Sequence, residues 1–236
     1  SVTKAPYPVI SYKESMLKYG TDKPDLRNPL EIVDVTEFFQ RCTFKPFHGQ
    51  TVRAIKVHAD ISKGKHEKLL KFAQSIGMGG LGYLEVMEDK SYKGPIDKFI
   101  PDDMKQEFAE LTGLEVGDTI FFIADKEERA NLFAGQLRNE LGERLDLIEK
   151  NAFRFCFVND FPMYEYNKDE KKMDFTHNPF SMPQGGLEAL NTMNPEDILA
   201  YQYDIVCNGV ELSSGAVRNH DLDIMVKAFE IAGYSE

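Results

Sequence analysis

No run of about 18 apolar residues occurs anywhere in the 236-residue chain, so no membrane-spanning helix is expected. Cysteine is scarce: Cys42, Cys156 and Cys207 stand far apart. An odd count without metal-site spacing argues against a disulfide framework and for a reducing compartment. Cys156 and Cys207 lie in apolar runs and read as buried thiols. Positive charge is also short. Lys and Arg number 28 against 39 acids, for a net charge of −11. That argues against a nucleic-acid-binding surface spread over the whole chain, so any RNA contact is expected to be local or to lie outside these residues. The opening SVTKAPYPVI has no basic segment followed by an apolar one, so no secretory leader is expected. No nucleophile triad, zinc spacing, phosphate loop or dinucleotide fingerprint is present. The cluster Gly77, Gly79, Gly80, Gly82 fits neither phosphate pattern in spacing and reads as a turn.

What remains is a globular composition, 42% hydrophobic and 28% charged, long enough for one large domain or two small ones. Residues 1–30 carry Pro6, Pro8, Pro24 and Pro29 and read as irregular, with Ser11 capping a short helix through Tyr19 that Gly20 ends. From about Gln50 the pattern turns regular. Strands are predicted at Val52–Val57, Gly82–Met87 and Thr119–Ala124, and helices at Lys65–Ile76, Asp102–Leu111 and Lys126–Leu141, the last stopped by Gly142. This alternation predicts a compact α/β or α+β unit. From about Ala152 the strands lose their crossover helices, which predicts an antiparallel sheet. Phe153–Val158, a hairpin over Met163–Phe175, Gln202–Cys207 and Gly209–Leu212 are its strands. Pro195–Leu199 reads as a short helix. Asp221 caps a last helix, Leu222–Ala232, with Leu222, Met225, Val226 and Phe229 expected inward and Gly233 ending it.

The richest segment chemically is Tyr203–His220 (YDIVCNGVELSSGAVRNH). Asp204, Glu211 and Arg218 are seven apart, and an odd spacing puts neighbours on opposite faces of an unbroken strand. Asn208-Gly209 or Ser213-Ser214-Gly215-Ala216 are the places where a break or bulge resets the face. Carboxylates here suit Mg²⁺ through oxygen ligands. An arginine offers a bidentate fork for a carboxylate or phosphate. An edge strand with a solvated salt bridge explains the same residues equally well. His177, between a strand and a double-proline loop, reads either as pocket lining or as a capping histidine. Asp160 reads as a turn residue.

Four segments together carry a family resemblance: Tyr19–Arg27 (YGTDKPDLR), Phe157–Glu165 (FVNDFPMYE), Thr176–Pro183 (THNPFSMP) and Tyr203–His220. In this order they resemble bacterial-type aspartyl-tRNA synthetases over essentially the whole chain. The resemblance implies an α+β fold: residues 1–39 and 144–236 as two pieces of a class II antiparallel-sheet core, and 40–143 as an inserted α/β-type GAD domain. It implies activation of L-aspartate by ATP with Mg²⁺, transfer to tRNA-Asp with tRNA-Asn left open, a homodimer in the full-length enzyme, and no membrane. Location is expected to be cytoplasmic, with a mitochondrial matrix equally compatible.

Residue by residue, the resemblance implies that His177 and Arg218 contact aspartate, Glu211 contacts ATP and its Mg²⁺, and Asp204 is a second acid at the metal. No residue is assigned a catalytic role. Ser213–Ala216 stands where many relatives carry Gly-Gly-Gly-Ser, and Asn178 replaces a second histidine, so it receives no role. The anticodon-binding barrel, the dimer motif and the motifs carrying two ATP-binding arginines are absent, so the 236 residues alone are expected to be inactive. Two other readings stay open. One is a non-catalytic GAD-type module for tRNA or protein, with a solvated face of Lys63, Lys65, Lys68, Lys71, Lys90 and Lys93. The other is a subunit of a tRNA-dependent amidotransferase that shares the insert, against which the flanking segments argue.

Overall fold

The computed structural model describes residues 1–235. In chain order its elements begin with β1 (Val9–Ser11), α1 (Tyr12–Tyr19), β2 (Ile32–Asp34), α2 (Thr36–Gln40), β3 (Thr51–Val57), α3 (Lys63–Ser75), β4 (Gly82–Val86) and β5 (Tyr92–Lys93). They continue with α4 (Lys105–Thr112), β6 (Thr119–Asp125), α5 (Glu127–Arg144), β7 (Phe155–Asn159), β8 (Tyr164–Asn167), β9 (Lys172–Phe175), α6 (Gly186–Thr192), β10 (Gln202–Cys207), β11 (Val210–Ala216) and α7 (Leu222–Ile231). Two compact units form. One gathers residues 1–15, 22–26 and 151 onward; the other gathers 16–21 and 27–150. No helix of the described residues is long and apolar enough to cross a membrane.

The 27–150 unit holds a sheet in the order β2-β3-β6-β4-β5 with every neighbouring pair antiparallel. β3-α3-β4 is a split β-α-β: the two strands run parallel, but β6 inserts between them. That is why a strand–helix alternation yields an antiparallel ladder, and why the α/β expectation for this region resolves to α+β. β6 explains its own apolar run. Phe121 and Ile123 face α3 and α5 with Leu69, Ala73, Leu137 and Leu141. Ile120 and Phe122 face the opposite side with Phe38, Phe39 and Phe108. A strand covered on both faces has no need of polar alternation. This unit extends beyond 40–143, because β2 is hydrogen-bonded to β3.

Several boundaries differ from the sequence expectation. α3 begins two residues early because Ser62 Oγ accepts from the Lys65 amide at 3.3 Å, capping the first turn. Asp102–Met104 is a 3₁₀ turn ahead of α4. Gly142 does not stop α5, which continues to Arg144; the Asn28 side chain occupies the space a Cβ would take there. Pro195–Asp197 is 3₁₀, and α2 and α6 had no predicted counterpart.

The other unit is built on a sheet in the order β1-β7-β10-β11. β7-β10-β11 is antiparallel as expected, but Val9–Ser11, read as irregular, pairs parallel with β7. The hairpin β8–β9 and α7 enclose a small core in which the buried Tyr164 hydroxyl donates to Ala228 O at 2.8 Å. All three cysteines are buried thiols outside any disulfide, and burial pushes Cys156 up to about 11.

α7 starts as predicted. Asp221 Oδ1 accepts from the amides of Asp223 and Ile224 at 2.9 and 3.2 Å. Removing that cap with Asp221→Ala is expected to lower stability by about 1 kcal/mol, measured by urea unfolding; no change would show that solvent caps the helix equally well. Its inward face is not the predicted one. Leu222 is 74% exposed, whereas Ala228 and Ala232 are buried. The helix is apolar on two sides, so 222/225/226/229 and 224/228/231 both satisfy helical spacing. Packing against Tyr164 and Leu190 selects the second.

Candidate functional site

Strands β10 and β11 form a hairpin whose turn is Asn208-Gly209, with φ of 52° and 81° and Cys207 opposite Val210. Two successive left-handed residues make the tight turn that matches strand twist, and Asn-Gly is its preferred pair. Asn208 Oδ1 also accepts from the Arg154 amide at 2.9 Å.

The face question raised by the seven-residue spacing is settled by a bulge. Ile205 pairs with Ser213 and Val206 with Glu211, so Leu212 is the extra residue. Asp204 pairs with Ser214. Residues 204 and 206 share a face, so their partners Ser214 and Glu211 share it too. Of the two places predicted to reset the face, Asn208-Gly209 is the hairpin turn, and the bulge lies just before Ser213.

This face floors a cavity of about 230 Å³. Asp204, Glu211 and Ser214 line it from the sheet, His177 from the loop after β9, and Asp22 and Lys23 from the segment after α1. Gln202 holds the rim: its Nε2 donates to Ser181 Oγ at 2.6 Å and to Asn178 O at 3.0 Å. His177 sets its ring edge-to-face on the buried Phe161, centroids 4.8 Å apart. Asp160 takes φ 55° and accepts from Gln184 at 2.7 Å, in keeping with a turn residue.

The electrostatics are crowded. Burial, then the charges of Glu211 and Asp22, push the Asp204 carboxyl up to about 6, against a smaller opposing effect of Lys23. The Lys23 ammonium donates to both Asp22 oxygens at 3.2 and 3.1 Å and stands 3.6 Å from Glu211 Oε2. Burial pulls Lys23 down, but Asp22, Glu211 and Asp204 outweigh it and raise it. Partial burial lowers His177, which favours a neutral imidazole, opposed by Asp22, Glu165 and Glu211.

The fold therefore brings His177, Asp204 and Glu211 into one cavity. Arg218 is not among the residues lining it. It follows β11, exposed, with its guanidinium over the Phe180 ring at 5.8 Å. Asp22 and Lys23 are the lining charges that sequence reasoning left without a role. Their signal was the ion pair enclosed between Gly20 and Pro24 in a segment already singled out. Asn178 also lines the cavity.

Among the described residues no three His, Cys, Asp or Glu are grouped to hold a metal unaided. The donor set still suits a hard divalent cation. Asp204 and Glu211 supply two carboxylates whose repulsion a cation would relieve, and Mg²⁺ ordinarily completes its shell with water and substrate phosphates.

Residues 1–236 match a family model described as tRNA synthetases class II (D, K and N). The chain is 52% identical over 237 residues to an aspartate–tRNA(Asp/Asn) ligase of Ehrlichia chaffeensis, covering 98% of this chain and 40% of that protein. It is 51% identical over 246 residues to a protein of the same name from Rickettsia felis, covering 100% of this chain and 41% of the relative. The chain thus spans about 40% of the length of the curated relatives it matches.

Proposed function

We propose, from the premise that this chain belongs to the class II tRNA synthetases of the D, K and N group, that it supplies one wall of an aspartyl-adenylate site in an aspartate–tRNA ligase. The observation that carries this reading is the single cavity where Asp22-Lys23, His177 and the Asp204–Glu211 pair meet from three separate segments. The reaction is attack of the aspartate α-carboxylate on the α-phosphorus of ATP with loss of pyrophosphate. A terminal ribose hydroxyl of the tRNA then attacks the aspartyl carbonyl, and AMP leaves. Such chemistry is mostly positioning and charge stabilisation.

Each residue has a task in this reading. Lys23 offers a cation inside the cavity to a carboxylate of the substrate, and His177 hydrogen-bonds beside it. Arg218 pairs with the aspartate side chain once its guanidinium leaves Phe180 and swings inward. Glu211 and Asp204 would hold Mg²⁺, which when bound neutralises phosphate charge. The relatives' name, aspartate–tRNA(Asp/Asn) ligase, supports tRNA-Asp and tRNA-Asn as acceptors. We assign residues 27–150, which have their own two-sided core, to the GAD-type insertion. A homodimer and a cytoplasmic site complete the reading.

The test is aspartate-dependent ATP–pyrophosphate exchange. Exchange is expected from the longer protein of which this chain is a part, and none from the 236 residues alone. Glu211→Gln and Arg218→Leu in the longer protein are expected to reduce it roughly 100-fold or more, the usual effect of losing a charge-stabilising group. Exchange by the isolated chain, or undiminished exchange by either variant, would overturn the assignment.

A further inference from the structure

We infer that Lys23 is an internal counter-cation that occupies Glu211 in the ligand-free cavity, so that a divalent metal must displace it and a carboxylate ligand that draws it away opens Glu211 to the metal. The inference rests on the reading of Glu211 as a metal-holding residue.

Three carboxylates, Asp22, Asp204 and Glu211, face the same cavity as this one ammonium. Lys23 is gripped unequally. It reaches both oxygens of Asp22 within hydrogen-bonding distance, whereas Glu211 Oε2 lies at 3.6 Å. Asp22 immediately precedes Lys23 in the chain, so that contact moves with Lys23, whereas Glu211 belongs to the sheet. Side-chain exposures of 39% for Lys23 and 35% for Glu211 leave the longer contact open to water and weak enough to be exchanged. A metal on Glu211 and an ammonium on the same carboxylate repel each other, so the two are alternatives. A ligand carboxylate competes for Lys23 from the other side. Metal and acidic ligand are then positively coupled, and the coupling is reciprocal. Lys23 is a positioning residue towards the metal in this scheme.

Mn²⁺ binding to the 236-residue chain, followed by electron paramagnetic resonance of the free ion, tests the idea without any activity. Lys23→Gln is expected to bind Mn²⁺ about 5- to 10-fold more tightly than wild type, within the usual range of site coupling. Lys23→Arg, which keeps the charge, is expected to bind as wild type. Adding L-aspartate is expected to tighten Mn²⁺ binding several-fold in wild type and not in Lys23→Gln. Glu211→Gln serves as the control that removes the site.

If Lys23→Gln binds no more tightly than wild type, or if Lys23→Arg tightens equally, the counter-cation role is overturned. If no Mn²⁺ site sensitive to Glu211→Gln exists in any variant, the metal reading of Glu211 falls with it. Tightening in Lys23→Gln with no response to aspartate in either chain keeps the counter-cation and overturns the coupling to aspartate. Should Lys23→Gln fail to fold, the wild type decides. Its lysines are dimethylated with ¹³C, and the Lys23 signal, assigned through Lys23→Arg, is expected to shift on Mg²⁺ addition; an unmoved signal overturns the proposal.

Discussion

Replacing Gly20 with alanine is expected to lower the stability of the 27–150 unit by about 3 kcal/mol or more, the range reserved for backbone strain and overpacking. Two causes combine. Gly20 has φ 68°, a left-handed conformation that costs other residues roughly 1–2 kcal/mol. A Cβ there would also lie 2.5 Å from Gly135 N and 2.6 Å from Gly135 Cα, inside α5. Backbone cannot rotate aside as a side chain can. The partner site is built the same way: a Cβ on Gly135 would lie 2.8 Å from Gly20 O, so a glycine that weakens a helix interior by about 1 kcal/mol relative to alanine is retained for close approach. Gly79→Ala is the control. Nothing lies within 4 Å of its Cβ position, and it is expected to stay within about 0.5 kcal/mol of wild type. Urea unfolding followed by far-ultraviolet circular dichroism measures both. Equal midpoints for Gly20→Ala and Gly79→Ala would show that the turn relaxes without loss.

Asp204→Asn is expected to stabilise the chain, and to do so only above a defined pH. Asp204 is 9% exposed, and its carboxyl is raised from 3.8 to about 6. The folded form therefore holds the proton more tightly than the unfolded form. The wild type is unaffected by this group below about pH 4, loses stability as pH rises from about 4 to 6, and carries the full penalty above that. Solvent in the open cavity screens part of the full value of about 1.4 kcal/mol per pKa unit, which leaves a penalty of about 1–2 kcal/mol at pH 7. Asparagine keeps the shape of the protonated acid, so the variant escapes the loss. The difference between variant and wild type, measured by urea unfolding at several pH values, is expected to grow through this window and level off above it. A difference flat with pH would show that neither burial nor the charges of Glu211 and Asp22 hold the proton on Asp204. Above the window the wild type accepts that penalty, which is consistent with carboxylates kept together for a cation.

Much of the fold was legible because its signals are local. The apolar run of β6, the cap at Asp221 and the strand at Gln202–Cys207 each lie within a few residues, and each forms where predicted. The faces of α7 were not legible, since its sequence is apolar on two sides and only Tyr164 and Leu190 choose between them. Nor was the parallel pairing of Val9–Ser11 with β7: three residues among prolines carry no periodicity, and the strand exists because β7 offers an edge. The site divides in the same way. His177, Asp204 and Glu211 were singled out by residue type and by resemblance. Asp22 and Lys23 were quoted in a signature without a task, because nothing near them in the chain reveals that they meet Glu211.

The sequence by itself determined the longer strands and helices, the acidic balance and the family. These depend on short-range backbone preference and on composition. The tertiary structure alone decided that a bulge at Leu212 turns Glu211 and Ser214 to the face of Asp204, that Lys23 stands among three carboxylates, and that Arg218 rests on Phe180. Those outcomes depend on register and on contacts between distant segments, and a single residue of slip in β11 would send Glu211 and Ser214 to the other face.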